Sequence, residues 1–170
     1  MTDKKQALAQ GLLDAYKAEQ YGHNFYLMAA NSTSDAKGKE VFETLAAEEL
    51  DHARFLKAQY DSVLMTGKVS ATAALGRRLD LTGMWPIFSD GLKARIKEAH
   101  FEMTALSIGI QLERDAMAFY KCQADNASDA EIKRMFMTLS DWEAGHYHGL
   151  LRQHEALKED FWSASGFAPF

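Results

Sequence analysis

The sequence carries one unit written twice. An ungapped shift of 94 residues lays Glu19 on Glu113, Phe25-Tyr26 on Phe119-Tyr120, and Ser34-Asp35-Ala36 on Ser128-Asp129-Ala130. The same shift lays Phe42 on Phe136, Thr44-Leu45 on Thr138-Leu139, Glu49 on Glu143, His52 on His146 and Leu56 on Leu150. Fifteen of the 41 positions from 19 to 59 are identical to their copies, where chance gives roughly two or three. An internal repeat of this kind dictates architecture before any single motif does, because both copies must find equivalent surroundings in one fold.

Each copy reads as a helical hairpin. From about Lys4 to Asn31, the residues Leu8, Leu12, Ala15, Glu19, His23 and Tyr26 recur three or four apart, the spacing of one helical face. Asn31-Ser-Thr-Ser-Asp35 breaks the pattern, with Ser34 or Asp35 placed to cap a second helix from about Ala36 to Met65. That helix carries Val41, Leu45, Glu49, His52 and Leu56 on one face. The copy predicts a third helix from about Met103 to Ala124, a polar break at Asn126-Ala-Ser128-Asp129, and a fourth helix from about Ala130 to Asp160. Between the halves, about 5–65 and 100–159, residues 66–101 hold Gly67, Gly76, Gly83 and Trp85-Pro86, which interrupt any long helix. Ser89-Asp90 is placed to cap a short helix over Leu92 to Glu98. The expected fold is all-α: an antiparallel four-helix bundle over 1–160, with a long crossover between helices 2 and 3. Residues 161–170, with Phe161, Trp162, Phe167 and Phe170, read as an aromatic tail packed on the bundle or on a partner.

The chemistry sits on the same faces. Glu49-Leu-Asp-His52 and Glu143-Ala-Gly-His146 are Glu-x-x-His pairs, and three residues is just under one turn, so both side chains of a pair reach one ion. One such pair on an exposed helix is usually a solvated charge pair. Here each pair lies in register with an apolar stripe, each follows a helix carrying one more glutamate (Glu19 or Glu113), and all six repeat at one offset. Four buried carboxylates without compensation would cost several kcal/mol each or take up protons. Two divalent cations balance them, and two neutral imidazoles complete the shells. Carboxylate oxygen with imidazole nitrogen suits iron or manganese.

Among the neighbours, Tyr26 and Tyr120 follow Glu19 and Glu113 by seven residues, about two turns. As core tyrosines they would only fill space; as hydroxyls beside a carboxylate they would orient it and pass a proton. Their repetition favours the second role. His23 lies one turn beyond Glu19 and is either an extra ligand or, more in keeping with its surroundings, a hydrogen-bonded histidine near the site. His100, His148 and His154 read as surface residues, and Cys122 as a half-buried small residue.

The strings Glu19…Phe25-Tyr26 and Phe42-x-x-Leu45…Glu49-x-x-His52, with their copies, resemble those of the rubrerythrin-like di-iron proteins of the ferritin-like superfamily. The resemblance spans about residues 5–155. It implies that Glu49 and Glu143 bridge two iron ions, that Glu19 and Glu113 are terminal ligands, and that His52 and His146 bind one metal each. It implies an oxidoreductase that reduces hydrogen peroxide or dioxygen. Two features depart from the family pattern. A single cysteine cannot build the cysteine-ligated iron domain of typical rubrerythrins, so electrons are expected from a separate protein or small reductant. The third-helix glutamate that exchanges with a histidine in that family is Ala116 here. The other readings are a ferroxidase with Fe(II) as substrate, a metal-binding bundle without turnover, and a bundle without metal.

Composition narrows the rest. A net charge of −5 with only scattered basic pairs such as Arg77-Arg78 and Lys4-Lys5 gives no footprint for nucleic acid. No run approaches the ~20 apolar residues that span a bilayer. The polar start and lone cysteine fit a cytoplasmic protein, and the apolar content fits a homodimer.

Overall fold

The computed structural model describes residues 3–78, 81 and 84–166. Four long helices dominate: α1 (Asp3–Ser32), α2 (Ala36–Thr66), α4 (His100–Asn126) and α5 (Ala130–Ser165), with the short α3 (Asp90–Ala94) between the halves. α1 packs along α2 and α4 along α5, while α1 meets α4 only sparsely. The result is the antiparallel four-helix bundle expected from the repeat.

Local chemistry sets the ends. Asp35 and Asp129, repeat partners, cap α2 and α5: Asp35 accepts from the Gly38 N–H, and Asp129 from those of Glu131 and Ile132. At the far end of α2, Gly67 takes φ 78°, a left-handed conformation that glycine adopts without strain, and its N–H closes on the Val63 carbonyl. No breaker stands between Asp160 and Gly166 (φ 69°), so α5 runs to Ser165, past the expected end. Phe161 and Trp162 therefore belong to this helix and not to a tail, with Phe161 edge-on to His100 at 6.4 Å. The remainder of the expected tail, Phe167, Pro169 and Phe170, lies outside the described residues, as does Gly83. The short helix is also smaller than expected. Ser89 caps α3, which stops at Ala94, and a 3₁₀ turn over Ile96–Glu98 completes the segment.

Two apolar layers fill the bundle, one toward each end. One holds Tyr26, Val41, Phe42, Leu45, Phe88, Leu106 and Leu150; the other holds Leu12, Leu56, Val63, Tyr120, Phe136 and Leu139. The repeat is visible in their packing. Tyr26 stacks on Phe42 at 6.3 Å and 18°, and Tyr120 on Phe136 at 6.2 Å and 27°.

The crossover lies over the α2–α5 face. Two repeat-related glutamines fasten it: Gln59 accepts from the Ser70 N–H at 2.7 Å, and Gln153 from the Ile87 N–H at 2.7 Å. Leu81 drops onto α5 where Gly149 leaves room, since a Cβ there would stand 2.6 Å from the Leu81 Cβ. Asp35 adds a third fastening, accepting from the Ser89 N–H and hydroxyl.

Asp35 and Asp129 thus both cap a helix but differ in tertiary role. Asp129→Ala should cost about 1 kcal/mol, the usual value of a cap. Asp35→Ala should cost roughly 2–3 kcal/mol, because bonds from Ser89 to a charged acceptor go with it. Urea unfolding midpoints of the two variants test the difference; equal losses would contradict it.

Candidate metal centre

The six residues singled out by the repeat meet between the two apolar layers. Glu19 comes from α1, Glu49 and His52 from α2, Glu113 from α4, and Glu143 and His146 from α5. All are at most 4% exposed. Their ligand atoms fall into two groups. Glu19, Glu49, His52 and Glu143 offer atoms within 4.8 Å of one another, and so do Glu49, Glu113, Glu143 and His146. Glu49 and Glu143 belong to both groups, the placement a bridging carboxylate needs. Glu19 with His52 belongs to one, and Glu113 with His146 to the other.

Both imidazoles turn Nδ1 toward the carboxylates. His52 Nδ1 is 3.1 Å from Glu143 Oε1 and 3.7 Å from Glu19 Oε2. His146 Nδ1 is 3.2 Å from Glu143 Oε2, 3.3 Å from Glu49 Oε1 and 3.5 Å from Glu113 Oε2. These are ion-pair distances without hydrogen-bond alignment. Of the eight buried side-chain polar atoms without a hydrogen bond among the described residues, seven belong to Glu49, His52, Glu143 and His146. Buried polar atoms are nearly always satisfied. Five of the seven, the Glu49 and Glu143 oxygens and both Nδ1 atoms, belong to the two ligand groups and converge as cation positions would require, while the two Nε2 atoms face outward. Hard oxygens plus imidazole nitrogens fit a pair of divalent ions such as iron or manganese.

Electrostatics say the same. Burial pushes the Glu49 carboxyl well above its usual range, and the charges of Glu143, Glu19 and Glu113 push it further. Burial also raises Glu113, to about 7, against the pull of His146. Burial opposes charge on His52, but the adjacent Glu143 and Glu19 overcome it and lift the imidazole to about 10. His146 is raised likewise by Glu113, Glu143 and Glu48. Glu143, buried between the two imidazoles, is held below the normal carboxylate range. Without cations, protons do the neutralising.

The tyrosines act across the repeat. Tyr26 of the first half donates to Glu113 of the second, and Tyr120 donates to Glu19. Burial, then the neighbouring carboxylates, raise both phenols, so each keeps its proton and donates. His23 is not brought to the cluster: its Nδ1 lies 2.6 Å from the Ala46 carbonyl, and it belongs to neither ligand group. His100 and His148 are exposed, and His154 meets Ser107 Oγ at 3.1 Å. Cys122 is exposed and not half-buried; Ala124, two residues on, takes the inward position.

Two residues near the site were not anticipated. Glu48 is buried, and its Oε2 lies 3.2 Å from His146 Nε2. Trp142 stands edge-on to His52 at 5.1 Å and 61°. They occupy equivalent positions in the two halves, and because the residues differ, comparing the halves passes over them. The available signal was position: each immediately precedes a shared glutamate, Glu49 or Glu143.

An opening leads in from one side. A cavity of about 350 Å³ between α1 and α4 reaches Glu19, Glu49, Glu113, Tyr26 and Tyr120, and neither histidine lines it. Its walls include Gly22 and Ala116, repeat partners whose small size keeps it open.

The rubrerythrin family model matches residues 11–152, a span containing both repeats and all six clustered residues. The chain belongs to the rubrerythrin family. No curated protein and no solved structure matches it significantly. Membership and the carboxylate–histidine cluster agree on a metal-binding site within the bundle. Among the described residues, no helix is long and apolar enough to cross a membrane.

Metal must displace the protons that now neutralise this rubrerythrin-family site. With His52 raised to about 10, its imidazole is protonated at pH 7, and Glu49 is raised as well. Loading with Mn(II) near pH 7 should release about one proton or more per chain, and affinity should rise from pH 6 to 8. Calorimetry in buffers of different ionisation enthalpy measures this; uptake of Mn(II) without proton release would contradict it.

Proposed function

We propose that the chain is a di-iron oxidoreductase that reduces hydrogen peroxide, with electrons returned by a separate donor. The observation carrying this reading is the cavity between α1 and α4. It opens onto three of the four clustered glutamates and both proton-bearing tyrosines, on a side that neither histidine lines. A small neutral molecule entering there meets the metal positions and two proton donors together.

When bound, the iron pair supplies the two electrons that split the O–O bond of peroxide. The residues supply the rest. Glu49 and Glu143 hold the two positions together, while Glu19 with His52 and Glu113 with His146 hold them individually. Tyr26 and Tyr120 donate to Glu113 and Glu19 and hold two protons beside the cavity. Reduction of peroxide to two waters takes two electrons and two protons, so the proton demand matches these two hydroxyls. Solvent replenishes them through the same opening. The apolar layers on either side keep bulk water from the cluster. One cysteine cannot build a cysteine-ligated iron site within these 170 residues, which supports a separate donor.

The test is stopped-flow absorbance of iron-loaded, reduced protein mixed with peroxide or with oxygen. Peroxide should oxidise the iron rapidly, and Tyr26→Phe or Tyr120→Phe should slow that step about 10²-fold with iron content unchanged. An unchanged spectrum would refute the reading. Rapid turnover of added Fe(II) with oxygen, and slow reaction with peroxide, would replace it with a ferroxidase.

A further inference from the structure

We propose that the two metal positions are unequal, that Glu48 and Trp142 make them so, and that the position at Glu113 and His146 fills first. The inference rests on the two-metal reading above.

Around the cluster the repeat is followed closely. Shared glutamates, terminal glutamates, histidines and tyrosines all have counterparts, in sequence and in space. The symmetry fails on the outer side of the imidazoles. Each histidine points Nδ1 at the carboxylate cluster and leaves Nε2 facing outward. Behind His146, Nε2 meets the buried carboxylate of Glu48 at 3.2 Å. Behind His52, no described carboxylate comes within ion-pair distance of Nε2; the neighbour is the indole of Trp142. Over that indole lies the Arg78 guanidinium, 6.0 Å from the ring centre, anchored by donation to the Asp141 carbonyl.

The difference has a chemical direction. A carboxylate accepting from the outer N–H of a ligating imidazole fixes its tautomer and ring angle and makes the inner nitrogen a stronger donor. Glu48, with its carboxyl oxygen 3.2 Å from Nε2, stands where it can give His146 this support. Among the described residues, His52 has the uncharged Trp142 ring beside it instead. Ligand basicity therefore favours a cation at Glu113 and His146 over one at Glu19 and His52. Glu48 and Trp142 act through the histidines, so they are positioning residues.

The experiment is an anaerobic titration of the metal-free chain with Co(II), read from its ligand-field absorption and from competition with a chelator. Wild type should bind two ions in two steps separated by about tenfold or more. Glu48→Gln should weaken the first step by about 10- to 100-fold and leave the second in place, so that the steps merge. Trp142→Phe should leave the first step unchanged. His52→Ala should keep the tight step, and His146→Ala should lose it. Circular dichroism of the metal-free variants confirms that each is folded. Two ions bound with one constant in wild type, or equal weakening of both steps by Glu48→Gln, would overturn the proposal. Fewer than two ions in wild type would overturn the two-metal reading beneath it.

Discussion

The structure depends on one electrostatic constraint: four carboxylates and two imidazoles share the dry middle of a bundle. Each buried charge loses several kcal/mol of hydration unless something replaces the water. No lysine or arginine of the described residues makes an ion pair there, and the cluster's own histidines cannot neutralise four glutamates unaided. Burial and the neighbouring carboxylates raise Glu49 and, to about 7, Glu113, so that protons relieve part of the repulsion. Divalent cations relieve it more completely, and the orphaned nitrogens and oxygens mark where they would sit. The two apolar layers then have a clear purpose. They supply the hydrophobic stabilisation that the polar middle cannot, while Tyr26 and Tyr120 bind one half of the chain to the other through Glu113 and Glu19.

The two faces of the bundle are different. The α2–α5 face, which carries both Glu-x-x-His pairs, lies under the crossover, fastened at Gln59, Gln153 and Asp35. The α1–α4 side is open at Gly22 and Ala116. A carboxylate side chain at position 116 would project toward this space; an alanine leaves it free for a small molecule. The alanine at position 116 thus has a steric counterpart, an accessible cavity.

The four helices, their hairpin pairing and the six clustered residues were legible because the repeat made each signal appear twice. A Glu-x-x-His pair is weak alone, and the offset from Glu19 to Glu113 converted two weak pairs into one constellation. The same filter hid Glu48 and Trp142, since a residue that departs from its copy leaves no repeat signal. Helix ends were misplaced where no breaker marks them. α5 continues through Phe161 and Trp162 because Gly166 is the first residue suited to end it. Cys122 was misjudged because the last turn of α4 has its inward position at Ala124. The path of the crossover could not be read from its glycines, for it is set by distant partners on α2 and α5.

The central claim is that this cluster holds two metal ions, and anomalous diffraction from crystals of the iron-loaded protein tests it most directly. The account predicts two peaks at the iron edge. One should lie among Glu19, Glu49, His52 and Glu143, and the other among Glu49, Glu113, Glu143 and His146. A single peak, or peaks away from these residues, would contradict it.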